Sequence, residues 1–222
     1  MLQPIVTCDL FSALLDSRSG ATAAMAALDR SWPVPPAEVY DRFDAHNKGL
    51  QRDTVGWVPF AELSRRALAA TYAELGVARS PDDDVRALLG SVGRWPLWPD
   101  VEQALAALRA VARVGVLSNV DDDLYAATRA AALLDPRLAL TSQRLQAYKP
   151  SAQLYRAARA ELGPFVHVAS SARDVRGSLE AGISAVRLVR PGHRLDPDGP
   201  APDHVIASLA DLPDVLGRIA LR

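Results

Sequence analysis

"PIVTCDLFSALLDS", residues 4–17, begins with a short run rich in β-branched residues and closes that run with a single carboxylate, Asp9. A brief apolar run bounded by a polar group has the pattern of a strand buried on both faces. The pattern returns in the second half of the chain as "VGVLSN", "LALTSQ", "FVHVAS" and "SAVRLVR", each followed by a helix-like segment. That alternation predicts an α/β protein with a parallel sheet and crossover helices, and the first run is the candidate central strand. Asp9 then stands at the carboxyl edge of the sheet, where open α/β folds bind their ligands.

The helices carry their own signals. In "DVEQALAALRAVA" Val101, Leu105, Leu108 and Val111 fall at helical spacing, with Pro99 and Asp100 near the start. "KPSAQLYRAARAELG" has Ser151 as an N-cap, Leu154, Ala158 and Leu162 on one stripe and Gly163 as a stop; "DVRGSLEAG" ends in the same way at Gly182. Between about 18 and 95 the sequence shows only helical patterns, over 21–29, 36–50, 59–75 and 81–91. Ser80 is expected to cap the last of these, with Pro81 at its first position and Asp83 in its first turn. "GRWPLWPD", residues 93–100, reads as the return hinge. The division expected is a core of 1–17 and 96–222 with a helical cap of 18–95 inserted after the first strand.

The chain has 222 residues, enough for a sizeable core, and its 25 basic and 26 acidic residues leave a net charge of -1. No general field draws in nucleic acid or an acidic membrane surface, so neither is an expected partner. The one cysteine, Cys8, cannot pair within the chain. The start of the sequence has no basic leader, and no run approaches the ~18 apolar residues of a membrane span. A soluble cytoplasmic protein is the expectation.

Four polar stations fall at or just beyond predicted strand ends: Asp9, Ser118 with Asn119, Lys149, and Asp174. Held by backbone N–H groups near an ammonium, a carboxylate stays ionised and can act as a nucleophile, which suits Asp9. Lys149 would neutralise the charge gathered by Asp9, Asp174 and an anionic substrate. Ser118 and Asn119 would donate to an oxygen or a leaving anion. Each residue also has a plainer use: Asp9 as a turn cap, Asp174 as a helix N-terminal acid, Lys149 as a surface charge, Tyr155 as helix packing.

In this order, "CDLFSALLDS", "VLSN", "YKPSAQLY" and "HVASSARDVRGSLEAG" resemble the four motifs of the haloacid dehalogenase (HAD) superfamily of hydrolases. The resemblance is closest to the 2-haloacid dehalogenase branch: an aromatic residue two after the acid, Lys149-Pro150 followed by Tyr155, and serines before Asp174. It implies a Rossmann-like core with an inserted helical cap and Asp9, Lys149, Asp174 and Ser118 as catalytic residues. It also implies substrate contacts from Leu10, Phe11, Asn119, Ser170, Ser171 and Tyr155, and a lid arginine for which Arg42 is the candidate. Ser12 and Ala13 replace a usual Gly-Thr pair, and Ala169 and Ser171 replace a serine and an asparagine. Those changes leave ester hydrolysis less well supported than alkylation of Asp9.

Phe11 sorts the chemistry. Phosphatases of the superfamily place a second aspartate there to protonate the leaving group, help typically worth about 100-fold to 10,000-fold. A halide leaves without a proton. The leading expectation is therefore cleavage of a small anionic substrate with a good leaving group, with no cofactor required. The alternative is a Mg2+-dependent phosphohydrolase of activated phosphates, with Asp9, the carbonyl of Phe11 and Asp174 as metal ligands. A third is a binding protein that kept the fold but lost turnover. Whether the chain forms a homodimer is left open by the sequence. The histidines His46, His167, His193 and His204 are scattered.

Overall fold

β1 (Ile5–Cys8) forms because Val6, Thr7 and Cys8 are wholly buried and three of its four residues are β-branched, so both faces pack against neighbours. The computed structural model describes residues 3–28 and 31–219. Along the chain follow α1 (Ser17–Ala27), α2 (Pro36–Asp53), α3 (Phe60–Leu75), α4 (Asp82–Gly90) and α5 (Val101–Leu108). Next come β2 (Arg113–Ser118), α6 (Asp122–Ala126), β3 (Ala139–Thr141), α7 (Ser142–Leu145) and α8 (Ala152–Leu162). β4 (Val166–Ala169), α9 (Ala172–Glu180), β5 (Ser184–Leu188), β6 (His204–Ile206) and α10 (Leu212–Leu216) complete the order.

The six strands form one parallel sheet in the order β3-β2-β1-β4-β5-β6, with β1 inside it. Register aligns Cys8 with Val116 on one side and Val168 on the other, so Asp9, Ser118, Asn119 and Ser170 emerge at one edge. One sheet face buries Val6, Val114, Val116 and Val168 against Leu105, Leu108 and Leu212. The other buries Leu117 and Leu140 against Leu154, Ala158 and Phe165. Helices on both faces of a parallel sheet make the Rossmann-like α/β architecture expected of the core.

The helical segment after β1 has a separate apolar cluster, with Val39, Phe43, Leu68, Tyr72 and Leu88 among its members. It leaves and rejoins the sheet side by side: Leu15 bridges Leu97 in antiparallel fashion, with Asp16 N donating to Pro96 O at 2.9 Å and Trp98 N to Leu14 O at 3.0 Å. Gly20 permits that closeness, because a Cβ there would sit 2.5 Å from Trp95 Cγ.

Three local expectations need correction. The helix expected from Val101 to Val111 ends at Leu108, and Val111 is 46% exposed, since the turns after Leu108 lead directly into β2. α4 starts one residue late: Pro81 holds the capping position, and Ser80 Oγ accepts only a long bond from Asp82 N at 3.3 Å. The helix expected over 21–29 runs from Ser17 to Ala27, and residue 29 lies outside the described residues. β6 was not anticipated, because three residues with an exposed Val205 carry too little apolar pattern.

Candidate active site

Immediately after β1 the chain makes a π-helical turn, Leu10–Leu14, capped at its start by the Asp9 side chain. Asp9 Oδ2 accepts from Ser12 N at 3.0 Å and Ser12 Oγ at 2.5 Å. Its Oδ1 accepts from Lys149 Nζ at 2.7 Å and Ser118 Oγ at 3.3 Å. Arg190 fixes the turn from behind, its Nε and Nη2 donating to Ala13 O at 3.1 and 2.9 Å. Asp9 thus offers an anchored carboxylate at a cavity of about 590 Å3 between the strand ends and α1, α2 and α4.

Lys149 is 3% exposed, and its ammonium has three acceptors for three protons: Asp9 Oδ1, Asp174 Oδ2 at 2.5 Å and Leu117 O at 2.8 Å. Asn119 aligns the lysine backbone, accepting from Lys149 N at 2.7 Å and donating to Lys149 O at 3.0 Å. Gly177 lets α9 approach this loop, since a Cβ there would lie 2.9 Å from Pro150 Cβ. Asp174 is held on its other side by Tyr155 Oη at 2.7 Å and His167 Nε2 at 3.1 Å, and His167 Nδ1 meets Thr7 Oγ1 at 2.9 Å.

The charges follow from these contacts. Burial works to raise the Asp9 carboxyl, but the Lys149 ammonium and the donors on it hold it below the usual carboxylate range, against the opposing charge of Asp174. Asp174 balances in the same way, burial against Lys149 and His167, and lies well below that range. For Lys149, burial opposes the charge while the two carboxylates favour it, and the ammonium is stabilised. Burial beside Asp9 pushes the Cys8 thiol up to about 12, so it stays protonated.

Asp9, Ser118, Lys149 and Asp174 are therefore brought together, and Phe11, Asn119 and Ser171 line the same cavity. Four expected substrate contacts are not on its wall. Leu10 is fully buried in the sheet core, because the first residue of the turn points inward. Tyr155 is also fully buried and serves Asp174 rather than a ligand. The Ser170 hydroxyl is sealed below the edge. Arg42 pairs with Glu38 and Glu74 on the outer face of α2. The cavity side of that helix is the stripe Tyr40, Phe43, Asp44, Asn47, Lys48 and Gln51, which helical phase places away from Arg42.

Sequence reasoning missed Gln51, Arg173 and His193 on the wall, and His167 and Arg190 behind it. Only His167 had an available signal: it alternates with buried valines in β4, so its side chain had to be buried and paired.

The three donors expected for Mg2+ are already committed. The Lys149 ammonium joins Asp9 to Asp174, and Phe11 O accepts from Ser17 Oγ at 2.5 Å. This arrangement does not fit a divalent cation.

A family model described as haloacid dehalogenase-like hydrolase matches residues 4–182. Among solved structures, the fold matches L-2-haloacid dehalogenase from Xanthobacter autotrophicus with chloropropionic acid covalently bound: TM-score 0.81 at 21% identity, covering 99% of this chain and 100% of that one. It also matches the L-2-haloacid dehalogenase PA0810, with TM-score 0.79 at 26% identity over 97% and 100% of the two chains. The defluorinating L-2-haloacid dehalogenase Rha0230 gives TM-score 0.80 at 23% identity, over 97% and 95%. No curated protein matches in sequence. Among the described residues no helix is long and apolar enough to cross a membrane.

Proposed function

The chain belongs to the haloacid dehalogenase-like hydrolases, and from that premise we propose that it cleaves a 2-haloacid-type substrate through an ester on Asp9. The observation that carries this reading is the pairing of an anchored, ionised Asp9 with Phe11, an apolar ring where a proton donor would be needed for a poorer leaving group. A neighbour of the same fold holds chloropropionic acid covalently, which agrees with such an intermediate.

In the first step an Asp9 oxygen attacks the halogen-bearing carbon, the carbon–oxygen bond forms, and halide departs with the bonding electrons. Water then attacks the carbonyl carbon of the ester, releasing the 2-hydroxy acid and restoring the carboxylate, with one proton passing to solvent. Lys149, Ser118 and the Ser12 amide meet the negative charge that builds on Asp9 oxygen in this second step. In this reading residues 18–95 act as a cap that shields the ester from bulk water over a core of 1–17 and 96–222.

Asp174 is a strong counter-ion and for the same reason a weak base. Alkylation is therefore better served than hydrolysis, and the ester should accumulate. Stopped-flow halide detection with a bromo- or chloroacid is expected to show a burst of about one halide per chain before a slower steady rate. Activity is expected to survive excess chelator and to vanish in Asp9→Asn. Halide release by Asp9→Asn at the parent rate would refute the reading.

A further inference from the structure

Gln51 Oε1 occupies an unusual position. It accepts from Asn119 Nδ2 at 2.8 Å and from Arg173 Nη2 at 2.8 Å, so one neutral amide oxygen takes two donors, one just beyond β2 and one at the start of α9. All three residues line the cavity that Asp9 faces. The other cations of that wall have carboxylate partners: Lys149 with Asp9 and Asp174, Arg18 with Asp41, Lys48 with Asp44. Among the described residues Arg173 forms no ion pair; its remaining bond is to Lys48 O at 3.5 Å. A half-buried guanidinium that donates to an amide gains by exchanging it for a carboxylate, because charge-assisted bonds are about twice as strong.

Another part of the wall is apolar. Phe11 stacks on Phe60 with ring centroids 5.8 Å apart and lies 5.9 Å from the Trp95 ring, and Phe43 and Leu89 extend the surface. At about 590 Å3 the space falls in the ~300–1,000 Å3 range of sites for drug-sized ligands. A haloacid of two or three carbons would fill little of it and leave the aromatic surface wet.

We propose that Asn119 and Arg173 form the carboxylate subsite of this cavity, that Gln51 Oε1 holds the place of a carboxylate oxygen until ligand enters, and that the preferred ligand is a carboxylic acid bearing a bulky apolar or aromatic group. The inference rests on the 2-haloacid reading for the position of the reacting carbon, but binding alone tests it. The carboxylate displaces Gln51 from Arg173 and Asn119, and the bulky group lies on Phe11, Phe60 and Trp95.

The experiment is isothermal titration calorimetry of the full chain with halogen-free acids, which cannot turn over: 2-phenylpropionate, propionate and the neutral 2-phenylpropionamide. 2-Phenylpropionate is expected to bind at least about tenfold more tightly than either of the others. Arg173→Met is expected to weaken it by about tenfold or more, and Arg173→Lys, which keeps the charge without the fork, by a smaller factor. Arg42→Met should leave affinity unchanged, and Gln51→Leu should leave it equal or higher, since a competing acceptor is gone. Equal affinity for propionate, no binding of 2-phenylpropionate, parent affinity in both Arg173 variants, or a loss in Gln51→Leu as large as in Arg173→Met would each overturn the proposal. Because no probe carries a halogen, any of these results leaves the Asp9 chemistry standing, and absence of halide release leaves the subsite standing.

Discussion

At the scale of single residues, Lys149 holds two carboxylates that would otherwise repel each other in a buried site. The folded-state values of Asp9 and Asp174 are depressed, so their contribution to stability is present above the unfolded value of about 4 and is lost as pH falls below it. Lys149 is raised in the fold, so its contribution is present below about pH 10.4 and is lost as pH rises beyond. The parent protein should therefore show a flat urea midpoint between about pH 5 and 9 as far as these groups contribute. Lys149→Met leaves the carboxylates facing each other without the ammonium and is expected to cost about 3–5 kcal/mol near neutral pH. Its sign with pH reverses, because at least one carboxyl now titrates above its unfolded value, and protonation relieves the repulsion. The variant is expected to gain stability on acidification toward pH 5, measured by urea unfolding. A pH dependence parallel to that of the parent would show that the ammonium does not hold the pair. Asp9 and Ser118 were legible because they close predicted strands; Lys149, in the loop after α7, and Asp174, in the first turn of α9, were legible from their order and spacing along the chain. The sequence did not reveal Arg173 or Gln51, whose meeting joins the start of α9 to the last turn of α2.

At the scale of elements, the helical segment is tied to the strand edge by Asp121, just beyond β2. Its carboxylate accepts from Phe60 N at 2.8 Å and Ala61 N at 3.0 Å, capping α3 from the end of β2. The α3 capping position itself is held by Pro59, which has no side-chain acceptor to offer. Asp121→Ala is expected to lower stability by about 1–2 kcal/mol and to hasten proteolytic cleavage in the 54–59 connection. Unchanged unfolding and cleavage would mean that the cap contributes nothing to holding α3. Helices in this segment were legible to within a few residues, since their apolar spacing is regular. Arg42 was misplaced because proximity in sequence does not specify the phase of α2, which only packing against α1 and α3 decides. The short edge strand β6 went unread for the opposite reason, as it contributes little to the buried pattern that marks a strand.

At the scale of the whole molecule, the order of strands follows from the position of one acid. β1 lies inside the sheet, so Asp9 is flanked by the ends of β2 and β4, and residues far apart in sequence converge on it. The parallel sheet and the inserted helices were legible because short apolar runs closed by a polar residue mark the buried strands, while between about 18 and 95 only helical spacing occurs. The size of the cavity and the aromatic wall were not, because Phe11, Phe60 and Trp95 come from three separate stretches that only the folded chain assembles. The claim on which the function depends is that a side-chain oxygen of Asp9 is the atom transferred to the product. Its most direct measurement is a single turnover of a 2-haloacid in 18O-labelled water, with mass analysis of both the product and the peptide that contains Asp9. The expected result is an unlabelled 2-hydroxy acid and one heavy oxygen in the Asp9 carboxylate; a labelled product with Asp9 unchanged would mean that water attacks the substrate directly and would contradict the ester.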